Sequence, residues 1–351
     1  MKRIISSVAI ILSVTPAAVR AGPTVSNVNA SQRPDQSRLV DINYDLAADG
    51  PCTVWFVVSD NGGASWNIPV MTYTGAIGST VSPGAAKMIV WDAGADIPGL
   101  TGSFKVRVFA DDGLGTNMVL VPGGTFPYQG NVQQQIYVGP FMIDKYEMTN
   151  QRYCEYLNSA DQNGMDPPQS HWNANMEITQ NGAPPNATYA IYEGKQNYPI
   201  RYVSVLDAEA FAAWLSQRDG HNYRLPTEQE WEKAAAWDSA QNTYWSYGCQ
   251  CNGIDCSRCN YFQTSYCVGS TTEVGHYNGM SGTVDSKSFV GCYDMSGNVW
   301  EWTSGDWGGA NVYRGGGFAT FQGGCTTFFR TGGPTNYRAS DVGFRLVVDF
   351  N

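Results

Sequence analysis

The stretch that decides the fold is Asp294-Met-Ser-Gly-Asn-Val-Trp-Glu-Trp302. Asp294 and Glu301 flank a tight turn at Ser296–Asn298, and irregular backbone there would direct carbonyl oxygens inward. Carboxylate and carbonyl oxygens are the hard ligands that calcium prefers. The alternative is that Asp294 only caps a turn and that the two tryptophans belong to the hydrophobic core. The stretch therefore predicts a turn, with a calcium site as its functional interpretation.

Five further motifs lie around this stretch. Together with it they resemble the formylglycine-generating (sulfatase-modifying factor) enzyme family. The resemblance implies an α+β fold: an irregular, loop-rich domain of the C-type-lectin-like group. The five motifs are Met118–Phe126, Asp144–Asn150, Tyr223–Trp231, Arg314–Phe318 and Asp341–Leu346.

The resemblance also shows which catalytic residue is missing. In catalytically competent members, Arg-Gly-Gly is followed by Ser, an aromatic residue, one further residue and Cys, with a second Cys five positions later. Those two thiolates bind Cu(I), a soft ion that prefers sulfur. Here Gly317 stands in the Ser position, Thr320 in the first Cys position and Cys325 in the second. Because a hydroxyl cannot replace a thiolate toward Cu(I), copper binding by the family's pair is not expected.

Two functions remain open on this basis. The first is a non-catalytic ligand-binding or surface-assembly protein. The alternative is an active oxidoreductase that converts a substrate cysteine to formylglycine through a rearranged copper site, using Cys325 and another cysteine. Convergence of two cysteine sulfurs would favour the enzyme, and a disulfide at Cys325 would favour the binding protein.

Calcium is the cofactor that the resemblance implies, at two sites. The second site would begin at Asn260 and Tyr261, and it is the weaker prediction because residues 265–270 hold no acid. The first site would use the side chains of Asp294 and Glu301 and the carbonyls of Gly297 and Val299.

The C-terminal loops mix aromatic residues with Gly, Asn and Gln. Such a mixture is typical of binding surfaces that combine contact area with adaptable hydrogen bonding. The alternative is that half or more of the aromatic residues are core. The candidate ligand face consists of Trp307, Tyr313, Phe318, Phe321, Gln322, Asn336 and Tyr337.

Charge and composition exclude several classes of function. The chain has 351 residues, with 21 Lys and Arg against 31 Asp and Glu, a net charge of −10. An acidic chain without a basic stripe argues against nucleic acid and anionic membranes as partners. The three histidines are far apart in the sequence, and neither a P-loop nor a dinucleotide fingerprint is present. The expected partner is an unknown ligand, peptide or surface protein, and self-assembly stays open.

The first 21 residues predict a cleaved signal peptide. Lys2 and Arg3 precede the apolar run Ile4–Val14, and small residues follow at Val19–Ala21. That run is too short to span a bilayer. The expected location is therefore secreted, periplasmic or cell-surface.

Nine cysteines are present, and five of them lie within Cys249–Cys267. Disulfides are expected in an exported chain, although the C-x-C-x4-C-x2-C spacing also permits zinc. The odd number leaves at least one thiol free or paired between chains, and spacing does not give the connectivity.

Residues 22–114 predict an immunoglobulin-like or fibronectin-like β-sandwich. Leu39–Tyr44, Thr53–Val58 and Phe104–Phe109 have strand patterns, and Asn61-Gly62 predicts a hairpin. Cys52, beside a dense apolar strand, is expected to be buried.

Residues 115–351 form the second expected domain, where amphipathic helices appear. Helices are predicted at Asn150–Asn158, at Ser204–Arg218 and after Thr227, whose spacing to Glu230 is that of a capping box. From Tyr244 onward the pattern is irregular and Gly-rich.

Overall fold

The computed structural model describes residues 23–63, 66, 68–99, 101–111, 118–163 and 171–349. The predicted signal peptide lies outside these residues. Within them, no helix is long and apolar enough to cross a membrane.

The N-terminal unit is built of strands, with one short helix. Its seven described strands form two sheets that enclose a shared apolar core. The elements in chain order are β1 (Thr24–Gln32), β2 (Leu39–Ala47), β3 (Cys52–Ser59), β4 (Tyr73–Gly75), β5 (Gly78–Val81), β6 (Gly84–Asp92), α1 (Ala93–Asp96) and β7 (Lys105–Asp111). The strand orders are β1-β2-β6-β4 and β5-β3-β7. The more specific assignment as immunoglobulin-like or fibronectin-like remains a prediction.

Strand β3 is buried on both of its faces. Because side chains alternate along a strand, Val54 and Phe56 enter the core between the two sheets, whereas Trp55 and Val57 point the other way. The latter pair joins a hydrophobic cluster of the second unit. Cys52, at the start of β3, is 2% exposed, which confirms its predicted burial.

The Asn61-Gly62 hairpin prediction falls partly on residues 64, 65 and 67, which lie outside the described part of the chain. The turn itself closes on a side chain, since Ser59 Oγ accepts a 2.8 Å bond from Gly63 N and donates to Asn61 Oδ1. On the far side of the turn, Ile68 N donates to the Val58 carbonyl at 3.3 Å, while β3 pairs with β7 over Thr53–Ser59 and with β5 at Cys52 and Val54.

The second unit is mixed α and β with long irregular stretches. Its elements are β8 (Met118–Val121), β9 (Gly124–Pro127), β10 (Gln135–Val138), β11 (Phe141–Asp144), α2 (Asn150–Asn163), β12 (Ile178–Asn181), β13 (Thr188–Ile191), α3 (Val205–Asp219), β14 (Asn222–Arg224), α4 (Glu228–Ala236), β15 (Trp237–Asp238), β16 (Thr243–Tyr244), β17 (Trp300–Trp307), β18 (Ala310–Arg314), β19 (Arg330–Gly333), β20 (Val342–Gly343) and β21 (Val347–Asp349). Its two four-stranded sheets have the orders β14-β21-β11-β8 and β19-β18-β17-β20. Residues 245–299 hold isolated bridges and turns, which agrees with the irregular pattern predicted from Tyr244 onward. After residue 299 that prediction is wrong, because the chain forms strands β17 to β21.

The helices begin where the sequence predicts. Ser204 caps α3 and Thr227 caps α4, each in a reciprocal capping box with Asp207 or Glu230. Helix α2 starts at Asn150 as predicted but extends to Asn163. Helices α2 and α3 pack their apolar faces onto a cluster that contains the tryptophans of the Asp294–Trp302 stretch, so β17 starts inside the core.

Candidate functional site

The Ser296–Asn298 turn connects three loops of the second unit. Gly297 N donates to the Gly315 carbonyl at 2.8 Å, and Asn298 N donates to the Asn260 carbonyl at 2.8 Å. The Asn298 carbonyl in turn accepts from Phe318 N at 2.8 Å. The turn therefore fixes the loop of Asn260 and the Arg314–Phe318 motif relative to β17.

Glycine is required at position 297. Its φ of +84° lies in the left-handed region, where a Cβ is disfavoured. A Cβ would lie 2.4 Å from the Asn260 carbonyl oxygen and 2.6 Å from Cys259 Sγ. The turn is thus packed directly against the backbone and sulfur of the neighbouring loop.

Glu301 forms a buried ion pair. Its carboxylate accepts from Arg345 Nε at 2.6 Å and Arg345 Nη2 at 2.7 Å, and from Trp231 Nε1 at 2.8 Å. Both members of the pair are fully buried. Burial alone would lower the pKa of Arg345, but the facing Glu301 carboxylate raises it overall. The predicted calcium ligand Glu301 is therefore held by a guanidinium that sequence reasoning did not assign to it.

Two more carboxylates lie close to this ion pair. Asp294 accepts from Gly275 N at 2.6 Å, and burial raises the pKa of Asp294 to about 6. Glu147 accepts from Asn298 Nδ2 at 2.7 Å, and burial together with the Asp294 charge raises the pKa of Glu147 well above its ordinary value. When ionised, the three carboxylates outnumber the single Arg345. A divalent cation would balance that charge, so the cluster fits calcium in charge although Glu301 is already engaged.

The second predicted calcium site has one matching feature. Asn260 is 1% exposed and donates from Nδ2 to the Ser270 carbonyl at 2.8 Å, while its Oδ1 has no hydrogen-bond partner among the described residues. The Thr271 hydroxyl is likewise buried and without a hydrogen bond in that part of the chain. The Tyr261 carbonyl, in contrast, already accepts from Cys267 N at 3.1 Å. Of the two predicted ligands, Asn260 has an oxygen without a hydrogen bond among the described residues, whereas the Tyr261 carbonyl already uses one of its two lone pairs.

Thr320, at the position where the resemblance predicts the first copper-ligating cysteine, is held by hydrogen bonds. Thr320 Oγ1 accepts from Gly317 N at 3.0 Å, and the Thr320 carbonyl accepts from Phe262 N at 2.9 Å. Cys325 Sγ lies 4.0 Å from that same carbonyl and is fully buried. The hydroxyl thus stabilises the loop, and Cys325 has no sulfur partner at position 320.

Cys325 has a different sulfur neighbour, which the sequence did not indicate. The Cys259 thiol is buried in the same small cluster as Cys325. Cys259 also donates to the Ser296 carbonyl at 2.8 Å, and Ser296 Oγ donates to the Cys325 carbonyl at 2.7 Å. Burial, followed by the neighbouring Cys325 thiol, raises the pKa of Cys259 well above its ordinary value.

The other cysteines of the segment settle the choice between zinc and disulfides. Cys249 is bonded to Cys251 and Cys256 to Cys267. The zinc alternative required four thiolates from the C-x-C-x4-C-x2-C spacing, and three of those sulfurs are in disulfides. Disulfides are therefore the correct interpretation of this segment.

Four aromatic side chains form a cluster between the loop that follows Asn260 and the C-terminal loop. The Phe262 ring lies 4.8 Å from the Phe321 ring and 4.9 Å from the Tyr266 ring, centroid to centroid, and Tyr266 also approaches Phe318 at 6.4 Å. Phe321 is 66% exposed and Tyr266 is 51% exposed, whereas Phe318 is buried. Phe262 and Tyr266 were missed from the sequence because their loop is far from the C-terminal motifs along the chain.

The remaining residues of the predicted ligand face lie in two other places. Tyr313 is buried, and Tyr337 stacks on it with ring centroids 5.8 Å apart. Trp307 is exposed on β17, with the Arg330 guanidinium 4.9 Å above its ring. Two further members, both at exposed positions, are Gln322 and Asn336.

Fold and site together define a class: a loop-rich α+β domain organised around a buried carboxylate cluster and an Arg-Gly-Gly strand end. A family model described as the sulfatase-modifying factor enzyme 1-like domain matches residues 107–350. The chain belongs to this family.

Curated relatives include both active and inactive proteins. The formylglycine-generating enzyme of Thermomonospora curvata is 28% identical over 298 residues, covering 67% of this chain and 94% of the relative. The inactive C-alpha-formylglycine-generating enzyme 2 of Bos taurus is also 28% identical, over 233 residues, covering 55% of this chain and 72% of that protein. Among solved structures, CarF is 22% identical with a TM-score of 0.49, covering 67% of this chain and 99% of CarF.

Proposed function

We propose that this chain is an exported, non-catalytic member of its family that binds a ligand or a surface partner through its C-terminal loops. The observation that carries the proposal is Thr320. Its hydroxyl stands where competent members have a thiolate, and it accepts a hydrogen bond from Gly317 N. A neutral oxygen is a poor ligand for Cu(I), which selects thiolate sulfur.

The exposed aromatic cluster supports a binding role. Large aromatic side chains supply contact area at low conformational entropy, and an exposed cluster of them marks an interaction surface. Phe321 and Tyr266 are its most exposed members, and the buried Phe318 anchors it. The existence of relatives named as inactive agrees with a family role without oxidation.

The test is an oxidation assay with added Cu(I), oxygen and a peptide that carries the cysteine substrate motif. We expect no aldehyde above background, with the T. curvata relative assayed in parallel as the positive control. The Thr320→Cys variant should also stay inactive, because Gly317 and the surrounding loop differ as well. Aldehyde formation by the wild type at a rate comparable with the control would refute the proposal.

One observation favours the alternative enzyme. Cys259 supplies a second sulfur in the same buried cluster as Cys325, which a rearranged two-sulfur copper site would require. Such a site would hold Cu(I) and supply oxygen activation, provided that both thiols lose their protons. Copper bound at one equivalent by the wild type, and lost in Cys259→Ala, would favour this function.

We also propose a structural calcium at the carboxylate cluster, with the side chains of Asp294 and Glu301 and the carbonyls of Gly297 and Val299 as ligands. The charge excess of the cluster supports the proposal, because burial of unbalanced carboxylates is unfavourable. A cation bound only by the folded state would raise the melting temperature by mass action. Metal analysis of the purified protein for calcium, copper and zinc together tests it directly.

A further inference from the structure

Cys259 and Cys325 come from loops that are far apart in the sequence, yet they share one neighbour. The Cys259 thiol donates to the Ser296 carbonyl at 2.8 Å, and Ser296 Oγ donates to the Cys325 carbonyl at 2.7 Å. Both cysteines belong to one small buried cluster with Tyr247 and Tyr261. None of the hydrogen bonds described above for Glu301, Asp294 and Glu147 involves either sulfur.

Glycines on both sides make room for the two sulfur atoms. A Cβ at Gly297 would lie 2.6 Å from Cys259 Sγ, and a Cβ at Gly316 would lie 2.6 Å from Cys325 Sγ. Both glycines have positive φ, at 84° and 77°. The backbone is therefore shaped around these two sulfurs, which lie in the same buried cluster.

Both sulfurs are buried, with Cys259 2% exposed and Cys325 fully buried. A soft metal requires deprotonated sulfur, and so does a reactive thiol. A disulfide is neutral, so its burial requires no charge in the folded protein.

We propose that Cys259 and Cys325 form a third disulfide, which joins the cysteine-rich segment to the C-terminal loop. This segment already holds Cys249–Cys251 and Cys256–Cys267, so it folds under conditions that oxidise thiols. A bond between these two cysteines would be the one cross-link from the segment to the Arg-Gly-Gly loop among the described residues.

The oxidant is a disulfide of the compartment's thiol–disulfide carriers. One cysteine, as its thiolate, attacks that disulfide and gives a mixed disulfide, which the second cysteine then displaces. The two protein thiols lose two protons and two electrons, and the carrier disulfide becomes two thiols. Because both sulfurs are buried in the folded state, the exchange takes place while the chain folds.

The cross-link would have two consequences, the second of which rests on the proposed function. It fixes the loops that carry Phe262 and Phe321, whose rings are in contact at 4.8 Å. It also removes Cys325 from copper chemistry, since a disulfide sulfur is not a thiolate. Cys325, at a position that competent members use for catalysis, would then hold the aromatic surface of Phe262 and Phe321 in place.

The test is peptide mapping of the full chain purified from an exporting host without reductant. The protein is unfolded, alkylated without reduction and digested. We expect a linked Cys259–Cys325 peptide pair, with alkylation confined to Cys52, Cys154 and Cys292. Alkylation of both Cys259 and Cys325 would overturn the proposal.

A stability measurement gives a second, independent readout. Cys259→Ala and Cys325→Ala should each lower the melting temperature of the oxidised protein. In reductant the wild type lacks the cross-link too, so the difference in melting temperature between wild type and each variant should become much smaller. Cys292→Ala is the matched control, because its thiol is fully buried but belongs to a different cluster. Its shift should be the same with and without reductant, and equal behaviour of all three variants would contradict a cross-link.

The copper assay separates this inference from the proposed function. A mapped disulfide in a protein that nevertheless produces aldehyde would refute the non-catalytic proposal and leave the disulfide standing. Two alkylated thiols in a protein that produces no aldehyde would refute the disulfide alone.

Discussion

Gly297→Ala is the substitution that most directly tests the role of the Ser296–Asn298 turn. An L residue in the left-handed region costs about 1–2 kcal/mol, and Gly297 has a φ of +84°. The added Cβ would lie 2.4 Å from the Asn260 carbonyl oxygen and 2.6 Å from Cys259 Sγ. Overpacking of this kind costs typically about 1–3 kcal/mol. The free energy of unfolding should therefore fall by about 2–5 kcal/mol.

The measurement is urea unfolding followed by tryptophan fluorescence. Gly323→Ala is the matched control, because Gly323 lies in the same C-terminal loop, is not left-handed, and a Cβ added there would meet no atom within 4 Å. Alanine at this position should be neutral or stabilise by about 0.4–1 kcal/mol through the unfolded chain. Equal midpoints for the two variants would refute the argument that the turn holds the loops together.

Three further predictions concern the carboxylate cluster. Arg345→Met leaves Glu301 buried and unpaired, so the free energy of unfolding should fall by about 3–5 kcal/mol. The control is Arg33→Met, which removes a partly exposed pair with Asp41 and should have little effect on that free energy. Chelation of calcium should lower the melting temperature, and Glu301→Gln should abolish that response; an unchanged melting temperature would mean that the site is only a turn. Burial raises the pKa of Asp294 to about 6, above its ordinary 3.8, so the stability that its bound proton contributes is present at low pH and lost as pH rises through 6. In chelator, the wild type should gain about 2.4 kcal/mol relative to Asp294→Asn between about pH 7 and pH 4, and parallel pH profiles would contradict this.

The parts of the fold that could be predicted from the sequence are those set by local interactions. The caps at Ser204 and Thr227 involve partners three residues away, so their patterns are visible in the sequence. The Glu301–Arg345 pair spans 44 positions, and the contact of Cys259 with Cys325 joins loops with no shared motif. Such pairings depend on how loops pack, which no local pattern encodes.

The Asn61-Gly62 turn illustrates the same division between local and long-range information. The dipeptide predicts a turn, and the turn is closed locally by Ser59, whose Oγ accepts from Gly63 N. Which strands lie beside β3 is decided by residues far away in the sequence, since β3 pairs with β7 over Thr53–Ser59 and with β5 at Cys52 and Val54.

The two-sided burial of β3 bears on how this chain can be divided experimentally. Trp55 and Val57 pack into a cluster with Phe141 and Trp231 of the second unit. Expression of either unit alone would turn this contact into an exposed apolar surface, which favours aggregation. Cleavage in the segment between β7 and β8 should accordingly leave the two pieces associated. The two units are separate in sequence, but they share a hydrophobic cluster in the folded chain.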